Sequence, residues 1–450
     1  MVEDAVTWPG DAGAATALAI AEAVRSGARS AVEVTRTHLD RITAGDGALN
    51  AFQQLREADA LSDAAAVDAH PQRARLPLAG VPVAVKDNMA VTGLPVRHGS
   101  AATSATPSMR DDLLVQRLRG AGAVVLGTTR MPELAIWGFT ASQAYGATRN
   151  PLAPELDPGG STGGGAAAVA AGMVPLAIGT DGGGSIRIPS AYCGLVGLKP
   201  GRGTVPLPGD AAEHWFGLSV AGPLARNARD AAAALAVIAD RPEIAELPDP
   251  GGLRVAWSHR SPSPTARADA RQRAAVTRAV SRLAALGHTA VRATPSYPPF
   301  VVPAWSLCWL AGIAHDVEQL GVDEARLEPR TRQMLRLGRR VLARGGPGNR
   351  WRDRWTATAG RFLTDYDVLL CPVVARGPGR AGELTGAGFA RTFASQSRTV
   401  AWTQPWNLAG FPAAVAPVGV ADGAPLAVQL VGRPGTEAQL LAVAGQLAVR

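Results

Sequence analysis

Alanine and leucine recur with helical spacing over residues 15–45 and 57–70, which predicts a helical layer at the start of the chain. After Pro77 the pattern changes to short apolar, β-branched runs alternating with helical stretches. Residues 81–85 read as a buried strand, 112–119 as a helix stopped near Gly120, and 123–127 as a second strand. A helix over 163–172 and a strand over 174–179 repeat the alternation, and helices are predicted over Ala228–Ala239 and 268–286, with strands over Arg254–Trp257 and 289–293. Residues 295–362 read as helical and irregular; 367–372 and 427–431 return to buried strands, and Glu437–Leu447 closes with a helix. This order predicts an α/β sheet covered on both faces. No linker or internal repeat is visible. One domain over 1–450 is expected, with a helical layer (1–75), a core (76–240), a more variable insertion (about 240–365) that walls a pocket, and a return to the sheet (366–450).

Composition narrows the picture. With 47% hydrophobic and only 5% aromatic residues, the core must be built mostly from Ala, Val and Leu. The net charge of +8 is carried by scattered arginines, and the densest basic stretch, 326–361, has the spacing of a solvated helix face. No nucleic-acid partner is expected. Three widely spaced cysteines (Cys193, Cys308, Cys371) without a CxxC argue against disulfides or structural zinc and for a reducing compartment. The acidic start and the absence of a long apolar stretch predict neither signal peptide nor membrane span. A soluble cytoplasmic protein, monomer or homodimer, is the expectation.

Of the 45 basic residues only two are lysines, Lys86 and Lys199. Arginine stays charged, whereas a buried lysine can lose its proton and act as a base. Lys86 ends the apolar run at 81–85, where burial lowers an ammonium pKa. That segment alone leaves two readings open: a base, or a lysine paired with Asp87 or another carboxylate. Lys199 reads as a structural charge in a turn. Between 158 and 200 two glycine-flanked serines, Ser161 and Ser185, follow Gly159-Gly160 and Gly182-Gly183-Gly184. Consecutive glycines let a ligand approach the main chain and can line up N–H donors where charge develops in acyl transfer. Tight turns or a phosphate-gripping loop are the alternatives; the P-loop sequence is absent.

Gly159–Gly163 also fits GxSxG, but a nucleophile elbow follows a buried strand and Glu155-Leu156-Asp157-Pro158 is not one. Its triad would need a late histidine. The seven histidines, His38, His70, His98, His214, His259, His288 and His315, sit in no conspicuous catalytic context and read as surface or satisfied core residues.

Taken together, the lysine run at 80–88, Gly-Gly-Ser-Thr-Gly-Gly, Gly-Thr-Asp-Gly-Gly-Gly-Ser-Ile-Arg-Ile-Pro and Gly-Leu-Lys-Pro resemble the amidase signature family of serine hydrolases. Weaker matches include Gly222–Arg226, Asn407–Pro412 and 428–430. The resemblance implies a single large mixed β-sheet sandwiched between helices. It also implies a Ser-cisSer-Lys triad: Ser185 as nucleophile, Ser161 after a cis peptide as proton relay, and Lys86 as base. The N–H groups of Gly182, Gly183, Gly184 and Ser185 would hold the oxyanion, and Asp181 and Arg187 would tie the loop. Thr162 stands where the family has a second serine. Gly182 stands where members often carry a side chain, which is expected to loosen the loop. No cofactor or metal is implied.

For the substrate, Met131, Ile136, Trp137, Phe139, Trp215, Phe216, Trp305, Trp309, Trp402 and Trp406 are candidate pocket residues, pointing to a hydrophobic acyl or aryl group. The expected partner is a small amide or a carbamate, as for the family's bacterial urethane-cleaving members. The alternative is the glutaminase-type subunit of a tRNA-dependent amidotransferase.

Overall fold

Val83, Ala84 and Val85 are fully buried, and so are Val124, Val125 and Leu126 beside them. Strands of this kind lack polar alternation because helices cover both faces of their sheet. The computed structural model describes residues 15–448 and the two-residue strand Val2–Glu3. Its strands are β1 (Val2–Glu3), β2 (Phe52–Leu55), β3 (Pro82–Lys86), β4 (Val124–Thr129), β5 (Ala141–Ser142), β6 (Gly146–Ala147), β7 (Leu176–Asp181) and β8 (Val196–Lys199). They continue with β9 (Val220–Ala225), β10 (Arg254–Trp257), β11 (Thr289–Arg292), β12 (Val368–Pro372), β13 (Ala413–Ala421) and β14 (Ala424–Val431). Twelve of them form one sheet in the order β11-β10-β12-β14-β13-β8-β9-β7-β3-β4-β2, with β1 on β13.

The sheet is mixed. β3 runs parallel to both β4 and β7, so Lys86, Thr129 and Asp181 end side by side on one edge. From β7 through β9, β8, β13 and β14 to β12 every pair is antiparallel, and β10 joins β12 and β11 in parallel. The expected α/β class and covered sheet are therefore present.

Local signals set the helix ends. Ala31–Leu49 starts at a capping box between Ser30 and Glu33 and stops at Asn50 in the left-handed conformation. The region 295–362 resolves into three helices, Val301–Gln319, Pro329–Leu342 and Arg350–Phe362. Two expectations need correction. Lys199 lies in β8 rather than a turn; it is fully buried, and its amine donates to the Pro200 carbonyl. The basic stretch is not solvated throughout: Arg330 is buried under Phe139, paired with Glu328 at 2.5 Å.

Candidate active site

Lys86 ends a central parallel strand, and the carboxyl edge of such a sheet is where α/β proteins assemble sites. The next strand in space supplies Thr180. The Lys86 amine lies 2.7 Å from Ser161 Oγ and 2.9 Å from Thr180 Oγ1, with the Thr180 carbonyl at 3.4 Å. Lys86 and Ser161 are wholly buried. Burial lowers the Lys86 pKa to about 7 against the smaller opposing pull of Asp181. An uncharged amine there offers two N–H donors to Thr180 and a lone pair to the Ser161 hydroxyl. The alternative pairing with Asp87 does not occur: that carboxylate turns to the N–H groups of Arg97 and Gly99.

Ser161 follows a cis peptide bond at Gly160 and stands just ahead of the helix Gly163–Ala170. The Thr162 N–H donates to the Ser185 carbonyl at 3.1 Å, which ties the two serine loops together. Thr162 Oγ1 donates to the Thr180 carbonyl at 3.3 Å. Ser185 itself is partly exposed.

The glycine loop is held by Asp181. Its carboxylate accepts from the N–H groups of Gly184 (2.7 Å) and Ile186 (3.1 Å), from Arg187 and from Asn407. Burial opposes ionisation, but the Arg187 charge and these bonds outweigh it and hold the carboxyl well below the usual range. Arg187 also donates to the Thr403 carbonyl, Gln429 and Asn407. Gly184 is thus corrected: its N–H is committed to Asp181 and is no oxyanion donor. The N–H groups of Gly182, Gly183 and Ser185 have no acceptor among the described residues. The loop is also not loosened by Gly182, contrary to expectation. A Cβ there would fall 2.7 Å from the Trp215 ring, and one on Gly183 2.6 Å from Trp305. Indole rings occupy the space that a side chain would fill.

The predicted pocket residues divide. Ile136, Trp137, Phe139, Trp215, Trp305, Trp309 and Trp406 belong to one buried cluster, with Phe216 packed against it. Trp305 stacks on Trp309 at 5.2 Å, and its indole donates to the Gly182 carbonyl. Trp402 does not join them; it packs with Cys371 and Ala401 in a separate cluster. Met131 is buried outside the aromatic group. The cleft beside the lysine, about 300 Å³, is lined by none of these residues but by Asn88, His98, Thr180, His214, Ser219 and Asp316 among others. Most of the candidate aromatic residues are spent on core packing, and the cleft is walled instead by smaller apolar side chains together with polar ones.

Sequence reasoning missed Thr180, whose hydroxyl receives both Lys86 and Asn88, and it dismissed His214. Nothing local distinguishes either; His214 gains meaning only from Asp316, 102 residues later, at 3.1 Å.

A mixed sheet carries a buried lysine–serine pair at its carboxyl edge, beside a loop whose Gly182, Gly183 and Ser185 N–H groups have no acceptor among the described residues. The chain belongs to the amidase family, whose model matches residues 33–441. AmiB2 of Mycobacterium tuberculosis, which carries an amidase name, is 41% identical over 98% of this chain and 96% of its own length. An acylamidase of Rhodococcus erythropolis is 32% identical, covering 95% and 94%. The solved 6-aminohexanoate cyclic dimer hydrolase in complex with substrate superposes with a TM-score of 0.87 at 31% identity, covering 96% of both chains. The protein is accordingly an amidase-type hydrolase of amide C–N bonds. Among the described residues no helix is long and apolar enough to cross a membrane.

Proposed function

We propose that this enzyme cleaves small hydrophobic amides through an acyl-enzyme on Ser185. The observation that carries the reading is the 2.7 Å contact between a wholly buried Lys86 amine and Ser161 Oγ. As Ser185 Oγ attacks the carbonyl carbon, its proton passes to Ser161 Oγ, whose own proton passes to Lys86. The N–H groups of Gly182, Gly183 and Ser185 take the oxyanion. Collapse breaks the C–N bond, and Lys86 returns the proton through Ser161 to the departing nitrogen. Water then repeats the sequence on the ester.

The acylamidase name of the Rhodococcus relative supports an acyl amide as substrate. Carbamates present the same carbonyl–nitrogen bond and are proposed as a second class. One catalytic domain acting in the cytoplasm, as monomer or homodimer, fits three buried cysteines that form no disulfide. The test is labelling with a sulfonyl fluoride, located by mass spectrometry, followed by a panel of anilides, aryl amides, carbamates and glutamine. Modification at Ser185 with anilide turnover is expected. Modification elsewhere would overturn the nucleophile, and turnover of glutamine alone would favour the glutaminase-type reading.

A further inference from the structure

The cleft beside Thr180 sets polar side chains against an apolar wall. No lysine or arginine lines it, while the carboxylates of Asp112 and Asp316 and the imidazoles of His98 and His214 do. Asp112 is occupied, accepting the N–H groups of Ala90 and Gly209. Asp316 is not. It accepts the Trp215 indole at 2.6 Å and meets His214 Nε2 at 3.1 Å, and two bonds leave about half of a carboxylate's acceptor sites open. His214 Nε2 faces Asp316 and its Nδ1 meets the Ser219 hydroxyl at 2.7 Å, so both ring nitrogens are engaged within the protein. A second acceptor lacks a donor on the same wall: Asn88 Oδ1 is buried without a partner. Open acceptor sites on Asp316 and Asn88, with no lysine or arginine on the wall to fill them, call for a donor-rich guest, and an ammonium group supplies three N–H donors at one point.

The backbone points to the same place. His98, Leu134, Ala135, Trp215 and Phe216 all have left-handed φ between 49° and 58°; the first three line the cleft, and Trp215 stacks on His214. Bulky residues hold that conformation at a cost, and they collect where a binding surface requires it. Val96, Leu134 and Leu320 add apolar wall suited to methylene groups.

We propose that the cleft receives an ammonium group at the end of an alkyl chain of the substrate, with Asp316 as its counter-ion. Asp316 is then a specificity determinant of the amide hydrolysis proposed above, on which this inference rests. The test compares matched pairs differing only in an ammonium against a methyl group. Aminohexanoyl and heptanoyl anilides carry it on the acyl side; benzamides of diaminohexane and of heptylamine carry it on the departing amine.

In at least one pair the wild-type enzyme is expected to prefer the ammonium substrate by about tenfold or more in kcat/KM, chiefly through KM. Asp316→Asn should collapse that ratio. Because Asp316 also holds Trp215 and His214, a second variant leaves those contacts alone: Gln319→Lys, at an exposed position on the cleft wall, should lower the ratio by placing a cation there. Equal kcat/KM within both wild-type pairs, or a preference that neither variant changes, would overturn the proposal. Turnover of the neutral substrates, abolished in Ser185→Ala, reports separately on the hydrolytic machinery.

Discussion

An ammonium in the slot between β3 and β7 would exchange its hydration for one serine and one threonine, so Lys86 gives up its proton near pH 7 rather than above 10. In the mechanism proposed above, only the uncharged amine can accept the proton from Ser161. As pH drops through about 7 the amine takes up a proton, so kcat/KM should fall along a single-proton acidic limb. A pH–rate profile on a neutral anilide checks this, and a limb near pH 4 would instead implicate a carboxylate. Lys86→Met should keep the fold, since an isosteric thioether fills the same space, and should lower kcat by about a thousandfold or more. Unchanged circular dichroism with lost turnover is the expected pair of results. Gly183→Ala tests the loop: its Cβ would need Trp305 to move, breaking the indole bond to the Gly182 carbonyl. A drop in kcat with KM little changed is expected, because the aligned donors act on the transition state. At this scale the sequence singled out Lys86 by its rarity and Ser161 and Ser185 by their glycines, while the lysine's partner stayed open until the structure placed its amine against Ser161 Oγ. The commitment of the Gly184 N–H was not legible, because an N–H looks the same in sequence whether it faces substrate or Asp181.

Between elements, the buried cluster of Asp181, Arg187, Asn407 and Gln429 ties the carboxyl end of β7 to the helix Gln404–Ala409 and to β14. Removing one partner of a buried ion pair strands the other. Asp181→Leu should therefore cost on the order of 3–5 kcal/mol in urea unfolding and release the Gly184 N–H. Asp181→Asn, which keeps the shape, should cost less. The strands that sequence pattern gave were continuous apolar runs such as β3, β4 and β12. Among those it missed, β9 carries Pro223 and β13 Pro417 and Gly419 within the strand, β8 is only four residues ending in Lys199, and half of β2 is glutamine. The sheet accommodates Pro417 at a register shift between it and Gly419, a tertiary solution that local propensity does not encode.

Across the molecule, a core built from alanine and valine around a twelve-stranded sheet leaves little polar space, and titratable groups caught inside must adapt. Asp157 is one of them. It lies just ahead of the Gly160–Ser161 peptide, accepting the N–H groups of Gly159 at 2.7 Å and, more weakly, Thr140. Burial pushes its carboxyl up to about 8, against the lowering effect of those two bonds. In the unfolded chain an aspartate titrates near pH 4, so between about 4 and 8 the native state holds a proton that the unfolded state has released. The native proton count is the larger, so this residue's contribution to stability declines as pH rises through that window. By pH 7 the accumulated cost is on the order of 4 kcal/mol. Asp157→Asn removes the ionisation while leaving an amide oxygen for the Gly159 N–H. The variant should gain stability over the wild type progressively from pH 4 to 8 and nothing at pH 4. Parallel urea melts at several pH values would read the difference, and a gap independent of pH would mean that Asp157 is ionised in the folded protein.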